Sequence, residues 1–112
     1  MNKDWKPYAL HILDCAKKIK RIEDRGDISC DDILYDAAVR NLQTLSEATQ
    51  KLPDEIKSRY PKIPWREISG FRNILVHNYL GDIDPETVKR VIADNLEELT
   101  TAVKYMLENE PN

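Results

Sequence analysis

Apolar residues recur at intervals of three and four along most of this chain, and the apolar/polar alternation of a half-buried strand does not occur. Trp5, Tyr8, Ala9, Ile12, Cys15, Ala16, Ile19 and Ile22 keep the rhythm i, i+3, i+4, i+7 and predict a first helix from about Asp4 to Glu23, with Pro7 tolerated in its first turn. The turn formers Asp24 to Ser29, with a cap among them, precede a second helix expected from about Cys30 to Lys51. Its buried face is Leu34, Ala37, Ala38, Asn41, Leu45, Ala48 and Leu52, and Asn41 is expected to hydrogen-bond inside the bundle. Pro53 to Tyr60 suggests a short helix with acids in its first turn, and Pro61 and Pro64 then force an extended elbow. From Pro64 to Gly81 a further helix is expected, started by proline and stopped by glycine, with Ile68, Phe71, Ile74 and Leu75 on its core face. Asp84 caps a last helix that starts at Pro85 and keeps its apolar rhythm from Val88 to Leu107, ending near Glu108. The pattern predicts an all-α, antiparallel four-helix bundle with one short extra helix.

Composition narrows the class. A chain of 112 residues with 41% hydrophobic and 33% charged positions supports one ordinary core, so residues 1–112 are expected to form a single domain. No apolar run approaches a membrane span, and the first residues lack the apolar segment of a signal peptide, which makes the cytoplasm the expected compartment. Cys15 and Cys30 are expected to be packed thiols on separate helices; with the two histidines far from metal-ligand spacing, no metal or cofactor is implied. His11 reads as a partly exposed structural histidine. A net charge of −3 argues against binding nucleic acid through a broad basic field. Any RNA contact must then be local, and Arg59, Lys62 and Arg66 are the candidates, whereas Lys17, Lys18, Lys20 and Arg21 read as a solvated helix face.

The helix from Pro64 to Gly81 carries an unusual second face, on which Trp65, Arg72, Val76, Tyr79 and Leu80 gather, with Asn73 and His77 one turn apart beside them. A permanent planar cation suits phosphate, and an imidazole is the side chain whose ordinary pKa permits proton transfer near neutrality. Arg72 and His77 stand about 140° apart on a regular helix, too far round to converge on one small ligand. Two copies packed across a two-fold axis would bring both groups to a shared cleft. Glu47, on the second helix, is a candidate to orient Arg72 through an ion pair.

Residues 72 to 79, Arg-Asn-Ile-Leu-Val-His-Asn-Tyr, resemble the R-x4-H-x-Y motif of the HEPN superfamily, specifically the HepT-like toxins. Ser46-Glu47-Ala48 with Lys51-Leu52, Arg59-Tyr60-Pro61, Ile63-Pro64-Trp65 and Gly70-Phe71 resemble the surroundings of that motif in the family, and the likeness covers nearly the whole chain. The resemblance implies a homodimeric, metal-independent endoribonuclease, the toxin of a type VII-like toxin–antitoxin pair with an MntA-type minimal nucleotidyltransferase as antitoxin. It implies that His77 is the acid/base, that Arg72 holds the phosphate, that Asn73 positions either group, and that Tyr79 receives AMP from the antitoxin and so silences the site. The competing implication is a non-catalytic bundle that grips a partner nucleotidyltransferase or a nucleotide.

Overall fold

The computed structural model describes the backbone of residues 4–77 and 84–111, and side chains at 4–71 and 84–111. Five helices follow in order: α1 (Lys6–Arg25), α2 (Asp32–Gln50), α3 (Asp54–Lys57), α4 (Trp65–His77) and α5 (Pro85–Asn109). The described residues contain no strand, and α1, α2, α4 and α5 form a helical bundle of the HEPN-like kind. α1 packs on α2 and on α5, and α4 lies against α2. The expected glycine stop at Gly81, together with Tyr79 and Leu80, lies outside the described residues.

The helix boundaries follow from their caps. Asp4 stands outside α1, its carboxylate accepting from the Lys6 amide at 3.0 Å, so the helix starts two residues later than the apolar rhythm suggests. The second helix is capped by Asp31, whose Oδ1 accepts from the Ile33 and Leu34 amides at 2.9 and 3.3 Å. Cys30 is thus left in the connecting turn and is exposed, contrary to its expected place as a packed thiol on the helix. Asp84 caps α5 as expected, accepting from the Glu86 amide, with Pro85 in the first turn.

Two groups of buried side chains make the core. One gathers Trp5, Ile12, Leu45, Ile68, Leu99 and Met106 with their neighbours, and the other gathers Ile19, Ala38, Leu42, Val88 and Ile92. Phe71 of α4 and Leu96 of α5 pack against both. Each fully buried aliphatic side chain of this kind contributes about 1.5–3 kcal/mol. Leu42, Ser46 and Thr49 are buried on α2, where the sequence pattern gives Leu34, Ala37 and Asn41, which are only half-buried. Asn41 donates to the Ala37 carbonyl of its own helix at 2.8 Å rather than across the bundle. Tyr8 keeps the helical rhythm but is 41% exposed. The basic run Lys17, Lys18, Lys20 and Arg21 is exposed, as a solvated face should be.

The two cysteines differ in accessibility. Burial raises the Cys15 thiol above its ordinary pKa, keeping it protonated, and the His11 Nε2 lies 4.0 Å from its sulfur. A thiol reagent is therefore expected to modify Cys30 alone in the folded protein and both cysteines in denaturant; rapid native modification of Cys15 would contradict this packing.

The turn between α1 and α2 is tied to the start of α5. The Asp27 carboxylate accepts from the Ser29 hydroxyl at 2.7 Å and the Ser29 amide at 2.9 Å, and pairs with Lys89 at 3.2 Å. These contacts lower the Asp27 pKa from 3.8 to about 2. A depressed carboxyl pKa stabilises the fold fully above its unfolded value and loses that effect as pH falls through the folded one. Asp27→Asn should accordingly lower the urea midpoint at pH 6, with the gap from the parent closing between about pH 4 and 2. A gap that stays constant across that range would show the ion pair and hydrogen bonds to be without weight.

Candidate functional site

α4 is positioned by three neighbours. Its first turn follows the Pro61–Pro64 elbow, in which the Trp65 amide donates to the Ile63 carbonyl at 2.8 Å. Ile68 buries completely, fixing one face of the helix in the core. Ser69 faces α2, where its hydroxyl meets the Thr49 hydroxyl at 3.0 Å and its carbonyl accepts from the Gln50 side chain at 3.1 Å. Thr49 is fully buried, so this pair of hydroxyls sets how far α4 slides along α2. The sequence pattern does not single out this contact. Its only trace is the recurrence of small polar residues, Ser46 and Thr49, where an apolar stripe would otherwise run.

Trp65 departs from expectation. The sequence places it on the half-apolar face that carries Arg72, yet its indole is half-buried against the chain's own core and its Nε1–H is shared between the Lys57 and Tyr60 carbonyls, each at 3.1 Å. The proline elbow explains this, because it folds α3 back beside the start of α4 and presents those carbonyls to the ring. Lys57 completes the corner: its ammonium caps the end of α2 by donating to the Thr49 carbonyl at 3.2 Å and also pairs with Asp54 at 3.6 Å.

The end of the bundle beside this corner is clamped. Arg59 pairs with Glu110 and, at 3.4 Å, with Glu55, while the Tyr60 hydroxyl donates to Glu110 at 3.2 Å. Burial and the neighbouring Glu110 carboxylate raise the Tyr60 pKa, so the phenol keeps the proton it donates. Across the same end the Trp5 indole donates to the Pro111 carbonyl at 3.2 Å. Of the three basic candidates, then, Arg59 is engaged by carboxylates. Lys62 and Arg66 are exposed, and neither side chain has an ion-pair or hydrogen-bond partner among the described residues.

A shallow groove of about 430 Å³ opens at the start of α4, lined by Asp54, Lys57, Ser58, Trp65, Arg66 and Ser69 among others. One turn further along α4, Gly70 occupies the helix interior, and among the described residues nothing beyond its own helix backbone lies within 4 Å of where a Cβ would stand. A glycine there costs about 1 kcal/mol of helix stability relative to alanine. On a helix running to His77, backbone positions 66, 70, 73 and 77 fall on one line within about 60°. Arg72, Asn73 and His77 are thus carried on the described α4 backbone, their side chains lying outside the described residues, as Tyr79 does entirely. Glu47 is exposed on α2, the helix against which α4 packs. The described residues hold no grouping of three or more His, Cys, Asp or Glu able to bind a metal ion, and no helix among them is long and apolar enough to cross a membrane.

The family model described as ribonuclease HepT-like matches residues 12–106. A protein of Caldanaerobacter subterraneus subsp. tengcongensis named "Putative RNase" is 35% identical over 108 residues, covering 94% of this chain and 96% of its own length. A "Probable ribonuclease HepT" of Thermococcus cleftensis is 30% identical over 95 residues, 80% of this chain and 86% of that protein. A Methanocaldococcus jannaschii protein named "Gamma-glutamylcyclotransferase and putative RNase" is 31% identical over 118 aligned positions, which take in 100% of this chain and 53% of that longer protein. No solved structure gives a significant match.

Proposed function

Because this chain belongs to the HepT-like ribonuclease family, we propose that it is an endoribonuclease whose site is assembled from Arg72, Asn73 and His77 of two α4 helices related by a two-fold axis. The observation that carries this reading is the motif Arg72-x4-His77-x-Tyr79 within the family match, with its arginine and histidine on one continuous helix anchored by Ile68 and Ser69.

The chemistry follows from the residue types. Cleavage by internal attack requires a proton to leave the ribose 2′-OH as its oxygen bonds to phosphorus, while the P–O5′ bond breaks and O5′ takes up a proton. His77 serves this proton traffic, taking the 2′-OH proton as base and giving one to O5′ as acid, while the two-fold axis sets it against the Arg72 of the opposite subunit. Arg72 holds the phosphate and offsets the charge that accumulates on its oxygens, and Asn73 orients either group, with Glu47 a candidate to hold the Arg72 guanidinium. The products are a 2′,3′-cyclic phosphate and a 5′-hydroxyl.

In the cell this activity would make the protein the toxin of a pair, restrained by a minimal nucleotidyltransferase antitoxin of the MntA type that attaches AMP to Tyr79. The decisive experiment is incubation of purified protein with RNA in EDTA, followed by analysis of the cut ends. Cleavage with cyclic-phosphate termini is expected because the assigned groups supply both proton transfer and charge stabilisation. No cleavage, with RNA or nucleotide still bound, would favour a binding subunit of a nucleotidyltransferase complex instead.

A further inference from the structure

The basic candidates around α4 are not equivalent. Arg59 is neutralised by Glu110 and Glu55, and Lys57 spends its charge on Asp54 and the end of α2. Arg66, exposed and without an ion-pair or hydrogen-bond partner among the described residues, borders the groove, with Lys62 in the elbow beside it. In a chain of net charge −3, the groove with Lys57 and Arg66 against Asp54 is a local positive exception. The Trp65 indole gives it an aromatic wall, the surface on which unpaired bases stack. Gly70 then keeps the helix bare one turn further on, along the line of positions 66, 70, 73 and 77. Glu67, exposed and about 100° round from Arg66, borders that line with a charge that repels phosphate.

We propose that this groove seats the single RNA strand flanking the scissile phosphodiester, with Arg66 holding a phosphate, Trp65 offering a stacking edge and Gly70 leaving the strand room to lie against α4. The proposal rests on the ribonuclease reading above and gives its substrate a direction. The strand leaves the site toward the start of α4, and position 66 stands about 16 Å along the helix from position 77, a few nucleotides away. Flexible single-stranded RNA fits the shallow groove, and recognition is of backbone and base faces rather than of sequence.

The test is binding of a fully 2′-O-methylated oligoribonucleotide, which lacks the attacking hydroxyl, measured by anisotropy over a range of salt. Arg66→Ala should weaken binding several-fold and reduce the slope of log K against log salt by roughly 0.7, the share of one phosphate contact. Arg66→Lys should keep the slope, and cleavage of unmodified RNA by Arg66→Ala should lose more through KM than through kcat. Gly70→Ala should raise the melting temperature yet weaken RNA binding. If the parent cuts RNA but Arg66→Ala keeps the parental affinity and slope, the groove assignment is wrong while the ribonuclease reading stands. A parent that neither binds nor cuts RNA overturns both. Loss of a dimer by light scattering in Gly70→Ala would make this face a protein interface and overturn the proposal in another way.

Discussion

His77→Ala is expected to lower RNA cleavage by about 10²–10⁴-fold, the usual worth of a positioned proton-transfer group, with unchanged helicity and thermal midpoint. Arg72→Lys should fail nearly as badly, because an ammonium keeps the charge but loses the planar fork that grips two phosphate oxygens. A sharper outcome is expected from mixing. On one regular helix positions 72 and 77 fall about 140° apart, so the proposed site draws its arginine and histidine from opposite subunits. Arg72→Ala and His77→Ala proteins, inactive alone, should regain up to roughly a quarter of the parental activity when unfolded and refolded together, since half the dimers then hold one intact pairing. Parental activity in either single variant would remove the catalytic assignment. A mixture as dead as its components would remove the shared cleft and leave the residues acting within one subunit.

What the sequence made legible is the framework. The 3.6-residue rhythm locates all four long helices, since it is the direct record of which side each buries, and Asp84-Pro85 marks the start of α5 without ambiguity. Boundaries elsewhere moved where a side chain, not a period, decides them: Asp31 caps α2 and so excludes Cys30 from it. The apolar pattern also cannot see polar packing. Ser46 and Thr49 are as buried as any leucine, and the Thr49–Ser69 contact that fixes α4 against α2 carries no periodic signal. Trp65 shows the same limit from the other side. Its angular position groups it with Arg72, but two carbonyls brought round by the proline elbow hold its indole within its own chain. Likewise Arg59, Lys62 and Arg66 are alike as cations in the sequence, and the carboxylates of Glu55, one turn before it, and Glu110, distant along the chain, separate the first from the other two.

Tyr79→Phe is expected to cut RNA much as the parent does and to escape silencing by a partner nucleotidyltransferase supplied with ATP. A phenol, with an ordinary pKa near 10, is a poor base at neutral pH, so its loss should spare the chemistry assigned to His77 and Arg72. As a nucleophile it fits a different reaction. The phenol oxygen bonds to the α-phosphorus of ATP, the bond to the β-phosphate bridging oxygen breaks, pyrophosphate leaves and the phenol gives up its proton to solvent. On a helix continued past His77, position 79 comes about 20° round from position 72, so the anionic phosphodiester would meet Arg72 and occupy the place of the substrate phosphate. Incubated with the partner and ATP, the parent should gain the mass of one or more AMP units and lose cleavage, while Tyr79→Phe gains none and stays active. Equal mass gain and equal silencing of the two proteins would place the modification on another side chain.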